Sequence, residues 1–144
     1  MPGEIDRYRC DPIEQGYLAV SAESEVRIRS IGEELLLTLK RGSGRERFER
    51  EIEVTEEQFQ ALWCATEGCR LTKRRFYVPL GQGTAQLDVY GGDLDGLITA
   101  EVEFDSREES EAFDPPAWFG REVTDDARYA NQALAQAAAP PDGD

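Results

Sequence analysis

Four short stretches of the chain alternate charged and apolar residues so that their charges fall on one side of a strand. They are Glu25-Val-Arg27-Ile-Arg29, Thr38-Leu-Lys40, Glu49-Arg-Glu51-Ile-Glu53 and Glu101-Val-Glu103-Phe104. In extended backbone, side chains at i, i+2 and i+4 share a face. Each stretch therefore presents a row of ionic groups. Arginine in such a row can grip phosphate, because its planar fork makes paired hydrogen bonds to phosphate oxygens. Carboxylates in the same row can hold a hard divalent cation through oxygen. A face carrying both suits joint binding of a metal and a polyanion. It also suits an open sheet with one wet, charged side, and alternation alone leaves both readings open.

Composition narrows the chemistry. The chain contains no histidine, which removes Ser-His and Cys-His nucleophile arrangements and nearly all His-based zinc sites. Any metal must then be held by oxygens, pointing to Mg²⁺, Mn²⁺ or Ca²⁺. Three cysteines, Cys10, Cys64 and Cys69, with no Cys-x-x-Cys, argue against a disulfide framework or a zinc ribbon. A formal net charge of -14 opposes nonspecific attraction to nucleic acid or to an anionic membrane. A polyanion can bind only where the few cations gather. At 144 residues and 40% hydrophobic content, one domain with its own core is expected. No stretch approaches the roughly 18 apolar residues of a membrane span, and Met1-Pro-Gly-Glu4 lacks secretory features. A cytoplasmic protein is expected.

The elements that must position these residues follow from pattern. Strands are expected near 16–20, 25–31, 34–41, 46–54, 71–79, 84–90 and 98–104. Turns are expected at Gly32, Gly42 to Gly44, Gly81 to Gly83 and Gly91-Gly92. Thr55 with Gln58 is a capping box, opening a helix over 56–66. Ser106 with Glu109 opens a shorter one that Pro115-Pro116 closes, and a third begins at Asp125 or Asp126. Phe59, Trp63, Trp118 and Phe119 read as core. The fold class is α+β: a closed or nearly closed antiparallel β-barrel of seven to eight strands, with flanking helices. The apolar sides of the strands (Val26, Ile28, Leu35, Leu37, Leu39, Val102, Phe104) would sit under the helices, which places the charges inside a tunnel.

Read in order, Gln15-Gly-Tyr17-Leu18, Val26-Arg-Ile-Arg29, Leu37-Thr-Leu-Lys40 and Arg47-Phe-Glu49-Arg-Glu51-Ile are followed by Lys73-Arg-Arg75-Phe76 and Leu87-Asp88-Val-Tyr90. Ala100-Glu101-Val-Glu103-Phe104, Trp118-Phe-Gly-Arg121 and Arg128-Tyr-Ala-Asn131 complete the series. This ordered set resembles the CYTH superfamily, the triphosphate tunnel metalloenzymes, and most of all its short bacterial branch that hydrolyses inorganic tripolyphosphate. The resemblance implies an eight-stranded antiparallel barrel whose tunnel binds a small-molecule triphosphate with Mg²⁺ or Mn²⁺. It assigns Arg27, Arg29, Lys40, Lys73 and Arg75 to the phosphates, with the two lysines acting as mobile point charges. It assigns Glu49, Glu51, Glu101 and Glu103 to the metal, and Asp88 could join them. Tyr17 is the candidate catalytic residue, either as proton acceptor or as the group that orients phosphate or water. Thiamine-triphosphatase and adenylate-cyclase activities also occur in the family, and a polyphosphate- or nucleotide-binding module without turnover is the alternative.

The family usually opens on a Glu-x-Glu-x-Lys strand. Here Glu4-Ile5-Asp6-Arg7-Tyr8 puts tyrosine in the lysine position. Residues 4–14 are therefore expected to match the segment leading into Gln15, with the opening strand missing. Open edges would then favour a homodimer. One domain over 1–135 and a disordered tail over 136–144 complete the expectations.

Overall fold

The structure is a computed structural model that describes residues 4–42, 47–81, 83–104 and 106–141. Ser43 and Gly44 of the first expected loop, Gln82 of the next, Asp105 and Asp142 to Asp144 lie outside the described residues.

All seven expected strands form: β1 (Cys10–Val20), β2 (Ser24–Ile31), β3 (Glu34–Arg41), β4 (Phe48–Glu53), β5 (Arg70–Leu80), β6 (Gly83–Tyr90) and β7 (Ile98–Val102). They build one antiparallel sheet in the order β4-β3-β2-β1-β5-β6-β7. β4 and β7 end the sheet, and among the described residues no hydrogen-bond ladder joins them. Closure of the barrel by hydrogen bonds is thus not seen. Residues Ile5–Arg7 make a 3-10 turn rather than a strand.

β1 is the centre of the sheet and begins six residues earlier than its apolar pattern suggests. Pro12 is tolerated because its missing N–H costs nothing where its carbonyl serves instead, accepting from Gly32 N–H at 3.0 Å. Gly32 itself turns β2 into β3 with φ of 59°, a conformation that glycine adopts without penalty. A bulge follows Tyr17, where the pairing slips from Tyr17–Arg27 to Ala19–Val26. Bulges locally re-aim side chains, and this one lies directly beside Tyr17.

The helices are short. α1 (Glu56–Trp63) opens on the complete Thr55–Gln58 capping box and runs into a 3-10 turn over Cys64–Thr66. It packs on β2 and β3 with Phe59 buried. The turn sits so close to β1 that a Cβ on Gly16 would lie 2.6 to 2.8 Å from Thr66. Gly16 is therefore the point where the α1 segment touches the sheet. α2 (Arg107–Ala112) is capped by Ser106, whose hydroxyl accepts from Glu109 N–H. The expected third helix is broken: a 3-10 turn at Ala127–Tyr129 precedes a four-residue α3 (Asn131–Leu134).

Two apolar clusters hold opposite sides of the sheet. Phe76, Val78, Ala85 and Leu87 pack under Trp118 and Phe119 on one side. On the other, Leu134 and Ala135 pack on Tyr17, Leu71 and Tyr90, and Tyr90 Oη donates to Asn131 Oδ1 at 2.9 Å. That second contact caps one end of the charged face.

Candidate functional site

Directly opposed residues of an antiparallel ladder point to the same side of the sheet. Following the register across the strands therefore collects one face. Glu51 opposes Thr38, Thr38 opposes Arg27, and Arg27 opposes Tyr17. One step along, Arg29 opposes Gln15, and Gln15 opposes Leu71. Lys73 opposes Tyr90, Arg75 opposes Asp88, and Gln86 opposes Glu101. The charges expected to share a face do so. Gln15, Thr38, Lys73 and Asp88 on this face are all buried, although α3 covers only one end of it. Such burial requires the sheet to curl over its own charged side.

The floor of this face is cationic and tightly held. Arg75 donates twice to Asp88, at 2.8 and 3.0 Å, in the paired geometry that suits a guanidinium and a carboxylate. Lys73 Nζ lies 2.8 Å from Asp88 Oδ2, the oxygen that Arg75 Nη2 also reaches, with its side chain wholly buried. Lys73 is thus ion-paired with the carboxylate that Arg75 also holds. Lys73 is a fixed charge, not the mobile one expected, and the Tyr90 ring 5.3 Å away adds a cation–π contact. Burial pushes the Lys73 pKa down, and Asp88 only partly restores it. Burial would raise Asp88, but Arg75 and Lys73 outweigh it and hold the carboxyl below its usual range. Arg75 is pulled down by burial and then carried above its ordinary value by Asp88.

The neighbouring arginines have less to hold. Arg29 makes a long ion pair with Glu51, at 3.7 Å, and Thr38 Oγ1 also donates to Glu51, at 3.0 Å. Burial lowers the Arg29 pKa, and the charges of Arg27 and Arg75 lower it further. Arg27 Nε and Arg29 Nε are buried with no hydrogen-bond partner among the described residues, beside the Lys73 ammonium that Asp88 holds. A cluster of unpartnered buried donors is unfavourable by itself and favourable around an anion. Tyr17 is buried at the same place, and burial raises the pKa of its hydroxyl.

The expected site residues divide into two groups. Tyr17, Arg27, Arg29, Lys73, Arg75 and Asp88 come together in the curl, and Glu51 reaches them through Arg29 and Thr38. Lys40 and Glu49 face each other farther along, between β3 and β4. Glu101 is exposed on edge strand β7, and Glu103 is exposed beyond its end.

No family model matches the chain. Curated relatives do. The chain is 48% identical over 126 residues to an inorganic triphosphatase from Nitrosomonas europaea, covering 86% of this chain and 83% of that one. It is 34% identical over 123 residues to an inorganic triphosphatase from Acetivibrio thermocellus, covering 83% and 77%. The chain belongs to the inorganic triphosphatase family. The crystal structure of an inorganic triphosphatase superposes with a TM-score of 0.75 at 44% identity, over 95% of this chain and 90% of the other.

Family membership makes the carboxylates worth testing as a metal site. Their oxygens suit Mg²⁺ or Mn²⁺ in chemistry. Among the described residues no three acidic or sulfur ligands converge where an ion could sit. Asp88 is engaged by two cations, Glu51 by Arg29 and Thr38, and Glu49 and Glu101 stand on opposite edges of the sheet. Magnesium-type ions are commonly held by one or two carboxylates together with substrate phosphates and waters, so a preformed cage is not what such a site requires. Two members of the site went unread in the sequence. Thr38 anchors Glu51, and Gln15 donates to Tyr17 Oη at 2.7 Å. Both stand at i±2 from residues already singled out, and that spacing was the available signal.

Proposed function

We propose that this chain hydrolyses a small triphosphate, with inorganic tripolyphosphate cleaved to pyrophosphate and phosphate. Two unpartnered buried donors, Arg27 Nε and Arg29 Nε, carry the reading, because phosphate oxygens are the acceptors they lack. The shared family supports the same reaction. In this reading the chain is a triphosphate tunnel enzyme of the CYTH type, and the curl of the sheet is its tunnel.

The geometry supports a division of labour. Arg27, Arg29 and Arg75 grip the phosphate chain, Lys73 supplies a fixed charge from below, and Lys40 joins from the rim. Together they offset the charge developing on the transferred phosphoryl group, which is the main demand of this chemistry. A water oxygen bonds to the terminal phosphorus, the bridging bond breaks, and pyrophosphate leaves. Tyr17 stays protonated near neutral pH, since burial raises its pKa above an already high value. In that state it orients phosphate or water. Mg²⁺ or Mn²⁺ is the proposed cofactor. It would be held by carboxylates among Glu49, Glu51, Glu101 and Glu103 together with the substrate's own phosphates, and would offset phosphate charge.

Phosphate release from tripolyphosphate, measured with Mg²⁺, Mn²⁺ or EDTA, tests the proposal. Metal-dependent release is expected. Tight binding of tripolyphosphate with no release under any condition would instead identify a binding module.

A further inference from the structure

We propose that Gln15 orients the water that attacks the terminal phosphorus, an assignment that rests on the triphosphatase reading above. Gln15 has no exposed surface, and it stands on the floor of the curl directly opposite Arg29 and two residues before Tyr17. Its Nε2 is committed, donating to Tyr17 Oη at 2.7 Å. Its Oε1 is buried and has no partner among the described residues. Around it among the described residues stand cationic donors: the unpartnered Nε groups of Arg27 and Arg29, and the Lys73 ammonium that Asp88 holds.

One acceptor in a field of donors has a specific consequence. A triphosphate presents acceptors and can satisfy the arginines and the lysine, but it offers nothing to Gln15 Oε1. The group that can serve Oε1 beside a bound phosphate is one carrying O–H, and water is the one at hand. A water donating to Oε1 has a lone pair free to face phosphorus. The amide orientation is the one in which Nε2 donates to Tyr17 Oη, which leaves Oε1 as the free acceptor.

An amide is too weak a base to take the proton, so Gln15 fixes direction only. The water oxygen forms the new P–O bond as the bridging P–O bond breaks, and the water's proton passes to the product phosphate or to solvent. Positioning of attacking water by a glutamine is established chemistry in phosphoryl transfer. Tyr17 gains a second role here, because its hydroxyl oxygen holds the amide nitrogen and thereby aims Oε1.

The test compares the full chain with Gln15→Leu and Gln15→Glu. It follows turnover of tripolyphosphate and calorimetric binding of tripolyphosphate in EDTA. Leucine removes the acceptor at similar size, and kcat should fall about 10²-fold while Kd stays within about threefold. Glutamate restores an acceptor, and its kcat should exceed that of the leucine variant by about tenfold or more. Gln15→Leu with unchanged kcat, or with a loss confined to KM, overturns the assignment and leaves the triphosphatase reading standing. So does a glutamate variant no faster than leucine. A wild-type chain that neither binds nor cleaves tripolyphosphate overturns both. If Gln15→Leu does not fold, Gln15→Glu decides alone: kcat within about tenfold of wild type supports the role, and a loss of about 10² refutes it.

Discussion

In the middle of the sheet, Lys73, Arg75 and Asp88 are buried and locked together across β5 and β6; on edge strand β4, Glu49, Glu51 and Glu53 stand exposed. Both regions arise from the same alternation of charged and apolar residues. The difference lies in what surrounds each strand. A central strand has a partner on either side and a curl above it, so its ionic groups lose water and must find one another. An edge strand keeps water on one side, and its carboxylates remain hydrated. The cationic cluster is thus built into the fold before any ligand arrives. The carboxylate side is not assembled in the same way.

That contrast makes unequal predictions for similar substitutions. The largest concerns Asp88→Ala, which leaves Lys73 and Arg75 facing each other while buried. Breaking a buried pair in this way costs about 3–5 kcal/mol, and urea unfolding of the variant should show it. The same pair sets an acid limb. Asp88 has a lowered folded pKa, so its stabilisation is complete above about pH 4, the unfolded value. It is lost as pH falls through the lower folded value. Asp88→Asn should flatten that limb in a stability–pH profile. Lys73 works in the same direction at higher pH: its lowered folded pKa, caused by burial, makes stability rise as pH climbs toward the unfolded lysine value near about 10.4.

A smaller loss is expected at the seam between the α1 segment and β1. Gly16→Ala forces a methyl into Thr66 and should cost about 1–3 kcal/mol. Thr66→Ala in the same chain should recover part of it, since the two residues touch. The smallest effect belongs to the edge. Glu49→Gln should change stability by no more than about 0.5 kcal/mol. A loss there as large as that of Asp88→Ala would erase the distinction between centre and edge.

Much of this arrangement was legible in the chain. Period-two alternation located all seven strands, and Thr55 with Gln58 marked the start of α1, because both signals are local. The start of β1 was obscured by Asp11, Pro12 and Glu14, which hide an extended segment from any apolar count. The third helix was overestimated, since the run of alanines favours helix while the observed turn at Ala127–Tyr129 and α3 are set by Asp126 capping and by docking on Tyr90. The partners of Asp88 were hidden for another reason. Arg75 lies 13 residues away, and only the β5–β6 register brings the two groups together. Lys73 looked mobile for the same cause, as lysine is buried so rarely that its type alone argues for exposure. The requirement for glycine at position 16 depends on Thr66, 50 residues on, and left no local trace.

The central claim is that unpartnered buried donors on the floor are the grip on a triphosphate. Calorimetric titration of tripolyphosphate in EDTA, into the wild-type chain and into Arg29→Ala, tests it most directly. Loss of charged hydrogen bonds worth about 1.5–3 kcal/mol should weaken Kd by about 10- to 100-fold. Equal affinity in the two proteins would contradict the account, because the anion would then be held somewhere other than the floor of the curl.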